Sequence, residues 1–239
     1  MSHSRILFVF LSLMLFFFTT GCQKQSEQKV EALPPEPVAQ EQPAVCIWDG
    51  ASVRAQPSRA ARMLSSLSLG ETLTFLGHST VDSTDKNREY YKIRLSDGKE
   101  GWTSSYLVVV DARAAAVVKK SYLYKRPDLL TVTDETFEPM NMVAVVSEQS
   151  DWLEVIGEKR KKKGWIKNRD LSFKDIDVAV AILAVKAMRV NDDAKQKEQL
   201  SAIVENPVFS ESVFIEELQQ RLHPEGVMNT QPEDSTRTY

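Results

Sequence analysis

The sequence is poor in cysteine and histidine, and it has no large excess of charge. Two cysteines in 239 residues cannot form a disulfide framework, and three dispersed histidines make no obvious metal cluster. The 30 basic and 33 acidic side chains give a net charge of −3, without the basic excess typical of nucleic-acid-binding proteins. We therefore predict no cofactor, no metal and no nucleic-acid partner.

Long hydrophobic runs are also rare, and the longest lies near the start of the chain. Residues 6–18 are apolar apart from Ser12, and they follow a short polar stretch that carries Arg5. The run is shorter than the roughly 18–20 residues of a membrane-spanning helix. A cationic start, an apolar stretch and small residues after it are typical of a secretory signal peptide, which we place at residues 1–21.

Cys22 directly follows Gly21 at the end of this apolar run. The arrangement resembles the signal of bacterial lipoproteins, although Thr19 stands where that family prefers leucine. The resemblance implies cleavage after Gly21 and lipidation of Cys22, in a protein that is exported and anchored in the lipid bilayer of the bacterial cell membrane. Gln23 is not the aspartate that marks inner-membrane retention in enteric bacteria, so an outer membrane also fits. The alternative is ordinary secretion with an incidental cysteine.

Residues 22–44 are rich in proline, glutamine and glutamate, and they contain no aromatic residue. Such a segment buries too little apolar surface to offset its loss of conformational entropy, so we predict a disordered tether. It would hold a folded region away from a membrane surface. Shortly after it, Cys46 is expected to be a small buried core residue, with an intermolecular disulfide as the alternative.

From residue 45 onward, short runs of alternating apolar residues predict β-strands, and the pattern occurs twice. Residues 53–57 align with residues 123–127 at an offset of 70. Near the end of each copy, Gly101-Trp102 aligns with Gly164-Trp165 at an offset of 63. The residues missing from the second copy fall between 78 and 89, where we expect a loop.

The first copy resembles a bacterial SH3-like domain. It has the family's VR-x-x-P start at Val53, a glycine between two middle strands at Gly70, and a closing GW-x-x-x-x-L that begins at Gly101. Asp97-Gly98 predicts the tight hairpin turn before that closing motif. The second copy is similar but degraded, because Tyr124 replaces the arginine and no glycine matches Gly70. The resemblance implies a mainly β fold class with two tandem small SH3-like β-barrels, residues 45–110 and 115–173.

A short α-helical C-terminal segment, residues 174–223, is predicted to follow. Residues 178–185 are all apolar and rich in alanine, which favours a buried helix, and Ser172 is spaced to cap it. Further helices are predicted over residues 192–205 and 208–222. We expect the segment to pack against the second barrel or to form a dimer, and the polar residues 224–239 to be disordered.

Relatives of SH3-like domains in secreted bacterial proteins bind peptides or cell-wall material, so the resemblance implies an aromatic binding surface. Aromatic faces stack on proline rings, peptide planes and sugars. Tyr90 and Tyr91 are neighbours on a strand, so at most one can reach a surface groove. Trp102 in the core, and Tyr106 in the core or an interface, are the alternatives. The candidates are Tyr90, Tyr91, Trp102 and Tyr106 in the first barrel and Tyr122 and Tyr124 in the second.

We expect the first barrel to be the better binder, because Asp170 stands in the second where a groove tyrosine is expected. A run of five cations lies in the predicted hairpin turn of the second barrel: Lys159, Arg160, Lys161, Lys162 and Lys163. One interpretation is a solvated turn that keeps a sheet edge from pairing. The other is contact with anionic lipid or glycan, worth about 1 kcal/mol per cation near a charged membrane.

The sequence contains no arrangement typical of an enzyme. Cys46 lies inside the first repeat, and neither His78 nor His223 is placed beside a nucleophile, so no triad can be assigned. We therefore expect a non-catalytic envelope lipoprotein whose SH3-like domains bind peptidoglycan or a protein or peptide partner. The alternative is a structural subunit of an envelope protein complex that binds through its helical segment.

Overall fold

A computed structural model of the protein describes residues 40–223. The predicted signal peptide, Cys22, most of the predicted tether and the predicted tail 224–239 lie outside the described residues. The first strand begins at Gln42, and Ala44 is only 1% exposed. The tether that we predicted to reach residue 44 therefore ends earlier, because residues 42–45 are paired with a neighbouring strand.

The first β unit, residues 42–110, is a seven-stranded antiparallel sheet. Its strands are β1 Gln42–Cys46, β2 Ala51–Arg54, β3 Met63–Leu67, β4 Thr72–Asp82, β5 Arg88–Arg94, β6 Glu100–Ser104 and β7 Val108–Val110. Their order in the sheet is β3-β2-β6-β5-β4-β1-β7.

The second β unit, residues 113–172, repeats this topology. Its strands are β8 Arg113–Val117, β9 Ser121–Tyr124, β10 Val132–Phe137, β11 Met142–Gln149, β12 Trp152–Gly157, β13 Lys163–Lys167 and β14 Leu171–Ser172. The order β10-β9-β13-β12-β11-β8-β14 is that of the first unit moved along by seven strands. The predicted fold class, mainly β with two SH3-like sheets and a helical C-terminal segment, is confirmed.

The strand register repeats as well. The equivalent cross-strand pairs are Tyr90–Ser104 with Trp152–Lys167, and Arg54–Trp102 with Tyr124–Trp165. The predicted loop between residues 78 and 89 is instead an extension of the β4–β5 hairpin, in which Val81 pairs with Glu89. Both strands simply continue past the point where their counterparts in the second unit end.

The Gly-Trp motif has a steric cause in both units. A Cβ atom on Gly164 would lie 2.8 Å from the backbone oxygen of Tyr124, and one on Gly101 would lie 3.0 Å from that of Arg54. Both distances are shorter than ordinary contacts, so only glycine lets the two strands approach this closely.

The second unit also keeps the backbone conformation of the glycine that it lacks. Gly70 has a φ of +83°, and Met140, at the equivalent place, has a φ of +64°. Left-handed backbone at a non-glycine residue costs about 1–3 kcal/mol. Met140 is fully buried, so packing of its side chain offsets that strain.

Each unit has its own apolar core, and a third cluster joins the two. The first core includes Val53, Leu67, Ile93 and Val108, and the second includes Leu123, Leu153, Val155 and Ile166. The joining cluster contains Val45, Ile47 and Val109 from the first unit and Ala144 and Ile156 from the second. The two units are therefore packed against each other through buried side chains.

Three α-helices follow the second unit: α1 Asp175–Met188, α2 Asp193–Val204 and α3 Ile215–Leu222. The third helix is shorter than predicted. A 3₁₀ turn, Pro207–Phe209, comes first, and Asn206 caps it by accepting a hydrogen bond from the Val208 N–H. Among residues 40–223, no helix is both long and apolar enough to cross a bilayer.

The helices close over the junction of the two β units. Their buried side chains, such as Val180, Ala184 and Phe214, join Met140 and Met142 of the second unit and Leu69 of the first in one cluster. The prediction that this segment packs against the second barrel is confirmed. Three alanines of α1, Ala181, Ala184 and Ala187, are buried in this cluster, and their small side chains let the helix pack closely.

A buried carboxylate ties the ends of the helical segment together. Asp177 is fully buried, and it accepts hydrogen bonds from the Ser172 hydroxyl at 2.5 Å and the Val213 N–H at 3.0 Å. Ser172 therefore does not cap α1 as predicted. The helix begins after Lys174 without a side-chain cap, and Asp177 lies in its first turn.

Candidate functional site

The second unit carries a row of aromatic side chains on the outer side of its sheet. Alternation along β9 buries Ser121 and Leu123 and turns Tyr122 and Tyr124 outward. Tyr122 is 53% exposed. Tyr124 packs edge-on against Trp152 with 4.7 Å between ring centroids, and it pairs with Trp165 on β13. We call Tyr122, Tyr124 and Trp165 the aromatic face; Trp152 is only 6% exposed and packs against Tyr124 from a buried position.

Polar and apolar groups border the aromatic face. The Lys167 ammonium lies 3.7 Å from the centroid of Trp152 and 2.7 Å from a carboxylate oxygen of Asp151. On the β9–β10 side, Leu129 and Leu130 are 63% and 91% exposed. Their 3₁₀ turn is ordered, because the Asp128 carboxylate accepts a hydrogen bond from the Leu130 N–H at 3.0 Å. The surface combines stacking rings, exposed leucines and a cation.

The first unit offers less aromatic surface. Trp102 is half-buried on the outer side of β6, opposite Arg54 on β2 and Lys92 on β5. Both cations have other partners, since Arg54 donates to the Ala61 oxygen at 2.7 Å and Lys92 lies 3.1 Å from Glu100. The expectation that the first barrel is the better binder stays a prediction, although the outward-facing rings that share one sheet surface lie on the second.

The structure corrects the placement of two tyrosines. Tyr90 is only 3% exposed, so its ring has no free face for a ligand, and burial raises the pKa of its phenol. Tyr91 points to the same side as the core residue Ile93 and packs on Phe75 with 4.8 Å between ring centroids. Burial, and then the Glu89 carboxylate, raise the pKa of Tyr91. Neither tyrosine lines an open groove.

Tyr106 lies between the two units rather than in a free groove. Its hydroxyl donates to the Lys159 backbone oxygen at 3.4 Å, and its ring lies 5.6 Å from that of Trp48. Tyr106 as a whole is 50% exposed. Sequence reasoning missed Trp48, which pairs with Tyr106 across more than fifty residues of chain and had no motif to mark it.

Asp170 does not occupy the place of Tyr106 in the second unit. The equivalent 3₁₀ turns are Ser105–Leu107 and Asn168–Asp170, so Arg169 is the counterpart of Tyr106. Asp170 instead lies 3.0 Å from the Lys119 ammonium. In the second unit, Arg169 therefore stands where the groove tyrosine was expected, and the assignment of Asp170 to that place was wrong.

The five-cation run is neither a simple hairpin tip nor uniformly solvated. The Lys159 N–H donates to the Ile47 oxygen at 2.8 Å, and Arg160 donates to the Val108 oxygen at 2.7 Å, so both bind the first unit. Lys162 donates to the Thr136 oxygen. Lys163 pairs with Glu154 at 3.1 Å, whereas Lys161 is exposed and has no ion-pair partner within residues 40–223.

Cys46 is a buried core residue, as predicted. It is fully buried, and its thiol donates to the Trp48 oxygen at 3.0 Å. Burial raises the pKa of the Cys46 thiol to about 12. The thiol is therefore protonated and inaccessible at neutral pH. Within the described part of the chain, no group of three or more His, Cys, Asp or Glu side chains is placed to hold a metal ion.

Residues 49–109 match the bacterial SH3 domain family, about a quarter of the chain. This part of the protein is a bacterial SH3 domain, as its motifs predicted; the family assignment of the second unit stays a prediction. No curated protein matches the sequence.

Two solved structures from Trichomonas vaginalis are similar to parts of the chain. NlpC1 is 15% identical, with a TM-score of 0.25, over 71% of this chain and 54% of its own. NlpC2 is 14% identical, with a TM-score of 0.25, over 71% of this chain and 57% of its own. The chain thus spans little more than half of either protein. Similarity this low carries no inference about activity.

Proposed function

We propose that the protein is a non-catalytic envelope lipoprotein, anchored through an acylated Cys22, whose SH3-like units bind peptidoglycan or a peptide partner. The bacterial SH3 domain at residues 49–109 supports the binding role. The anchor is supported by the apolar run that ends at Gly21-Cys22. The cleavage would leave the folded residues attached to a membrane by a short proline-rich segment.

The observation that carries the binding proposal is the aromatic face. Three aromatic side chains from adjacent strands, Tyr122, Tyr124 and Trp165, turn outward on one sheet surface. Aromatic rings stack on sugar rings and extended peptides with little loss of side-chain entropy, since they have few rotatable bonds. The neighbouring Lys167–Asp151 pair provides polar groups for orientation. Such a surface suits the glycan strands and attached peptides of a cell wall.

The state of Cys46 supports a role without catalysis. A nucleophilic cysteine needs a thiolate and access for substrate. Cys46 has neither at neutral pH, because it is fully buried and its pKa is about 12.

A sedimentation assay with purified sacculi tests the binding site. Fragment 39–239, which contains all of the described residues 40–223, should be retained. Tyr122→Ala and Trp165→Ala should each reduce retention several-fold without unfolding, since both changes lie on the outer surface. Val208→Ala, at a 71% exposed side chain of the helical segment, is the control and should bind normally. Retention of both aromatic variants at the wild-type level would contradict the proposal.

The anchor is tested separately in cells. Cys22→Ala should abolish labelling by a radioactive fatty acid and release the protein from the membrane fraction. Labelling or membrane retention that persists in this variant would contradict lipidation at Cys22.

A specific observation also favours the second candidate function, an envelope-complex subunit that binds through the helical segment. A groove of about 410 Å³ lies between α1 and α2, lined by Leu183, Ala187, Ile203 and Phe209 among others. Leu183 is 40% exposed. If this groove holds a partner, Leu183→Glu should reduce its recovery by cross-linking in intact cells, whereas Tyr122→Ala should not.

A further inference from the structure

A cleft lies where the first unit, the second unit and α1 meet. Its volume is about 180 Å³. The floor is apolar and draws one or more side chains from each part: Leu69 from the first unit, Phe137 and Met142 from the second, and Val185 from α1. The cleft therefore exists only in the assembled protein. We call it the junction cleft.

The rim of the junction cleft is charged. Lys161, Lys162 and Arg189 contribute three cations, and Glu158 contributes one carboxylate. Arg189 is already neutralised, because it forms ion pairs with Glu158 and, at 3.5 Å, with Asp49. Lys162 is occupied by its hydrogen bond to a backbone oxygen. Lys161 remains as a cation at the rim with no ion-pair partner within residues 40–223.

Asn141 supplies a second polar group. Its side-chain oxygen accepts a hydrogen bond from the Glu138 N–H at 3.0 Å. With that oxygen engaged, the side-chain amide nitrogen is the group of Asn141, a residue of the cleft lining, that can donate to a ligand. A single cation and a neutral amide donor beside an apolar floor form a receptor for a small anion that carries an apolar group.

The junction cleft opens into a wider space of about 460 Å³. Glu158, Lys161 and Arg189 line both spaces, and Asp49 and Lys159 line the outer one. A ligand whose anionic end sits in the junction cleft can therefore extend outward along polar groups. This geometry suits the end of a chain better than an isolated ion.

We infer that the junction cleft binds the C-terminal carboxylate of a short peptide that ends in a small apolar residue. The carboxylate contacts Lys161 and Asn141, and the last side chain packs on Phe137 and Val185. Lys161 offers one cation without an ion-pair partner within residues 40–223, which matches the single charge of a carboxylate better than the two charges of a phosphate dianion. The choice of a peptide rests on the proposed wall-binding function, while the site itself is separate from the aromatic face.

Isothermal titration calorimetry on fragment 39–239 tests the inference with N-acetyl-dialanine as the probe. Its C-terminal amide, which has the same shape without the charge, is the matched ligand. We expect the carboxylate form to bind at least ~10-fold more tightly than the amide, a difference of ~1.4 kcal/mol. Lys161→Met should remove most of this preference, and Lys197→Met, at an exposed lysine of α2 outside the cleft lining, should leave it intact.

Several results would overturn the assignment. Equal affinity for the acid and the amide would do so, as would an unchanged preference in Lys161→Met. Full competition by equimolar inorganic phosphate would show a general anion site instead of a peptide site. Lys161 is exposed, so its replacement should leave the melting temperature unchanged. Tyr122→Ala should not affect dipeptide binding, so failure of this proposal and failure of sacculus binding are distinguishable.

Discussion

Replacing Gly164 by alanine tests the steric explanation of the Gly-Trp motif. The added Cβ would lie 2.8 Å from the Tyr124 backbone oxygen and 3.2 Å from Cδ2 of Leu123. The oxygen belongs to β9, which pairs with β13 at Trp165, so it cannot move without separating the two strands. Gly98→Ala is the matched control, because a Cβ there has no atom within 4 Å and only the positive φ of +83° opposes it.

The expected destabilisation follows from these contacts. Overpacking costs about 1–3 kcal/mol, and weakening a ladder hydrogen bond adds about 1 kcal/mol. Alanine also restricts the unfolded chain, which offsets about 0.4–1 kcal/mol of this loss. We therefore expect Gly164→Ala to lower the free energy of unfolding by roughly 2–3 kcal/mol. Gly98→Ala should lower it by about 1 kcal/mol, the penalty for left-handed backbone less the same offset.

Urea unfolding of fragment 39–239, followed by tryptophan fluorescence, measures both changes. The double variant Leu123→Val/Gly164→Ala separates the two obstacles. If the Leu123 side chain were the obstacle, shortening it would restore stability. Because the backbone oxygen is closer than the leucine side chain, we expect the stability losses of the two changes to add within ~0.5 kcal/mol, with no recovery of stability. Equal costs for Gly164→Ala and Gly98→Ala, or clear rescue by Leu123→Val, would refute the steric explanation.

Three further predictions concern the junction, the helical segment and the buried thiol. Arg160→Ala should lower the free energy of unfolding in urea by about 1–2 kcal/mol, because the charge-assisted hydrogen bond to the Val108 oxygen is lost. Lys163→Ala, which removes an exposed ion pair with Glu154, should lower it by under ~0.5 kcal/mol. Similar costs for the two variants would argue against a role for Arg160 at the interface. Asp177→Ala should lower the free energy of unfolding by about 2–4 kcal/mol and speed hydrogen exchange at the Val213 amide. Asp177→Asn keeps an acceptor for that amide, so it should lower the free energy of unfolding by only about 1 kcal/mol. Equal effects of the two changes would contradict the hydrogen-bonding role. The pKa of Cys46 is about 12 in the folded protein but about 8.5 in an unfolded chain, so above about pH 9 the unfolded chain loses a proton that the folded chain keeps. The free energy of unfolding should therefore fall by about 1.4 kcal/mol per pH unit from about pH 9 toward pH 12. Cys46→Ala should lack this component in unfolding curves at pH 8, 9 and 10, and the same pH dependence in both proteins would disprove it.

Local patterns in the sequence predicted the parts of the fold that depend on local physics. Strand alternation and the two Gly-Trp motifs located both β units, because period-2 burial and a close strand approach each leave a direct trace in residue type. The same reasoning allowed at most one of Tyr90 and Tyr91 to reach a surface groove, because neighbours on a strand face opposite sides. Tyr90 is buried although its neighbour Tyr91 faces the core, a result that strand alternation alone does not predict. The predicted cap at Ser172 was wrong, because its hydroxyl donates to the Asp177 carboxylate, five residues along, and accepts from the N–H of Lys174, the residue before the helix.

The five-cation run shows why the site was harder to predict than the fold. In sequence its members are nearly equivalent, yet Lys159 and Arg160 hold the first unit, Lys163 pairs within its own sheet, and Lys161 borders the junction cleft. These differences arise only when two units and α1 pack together, so no window of sequence contains them. The same packing makes the two proposed sites differ in their requirements. The aromatic face belongs to the second unit alone, whereas the junction cleft needs Leu69 from the first unit and Val185 from α1. Arg160→Ala, which loosens the interface between the units, should therefore weaken dipeptide binding more than sacculus binding.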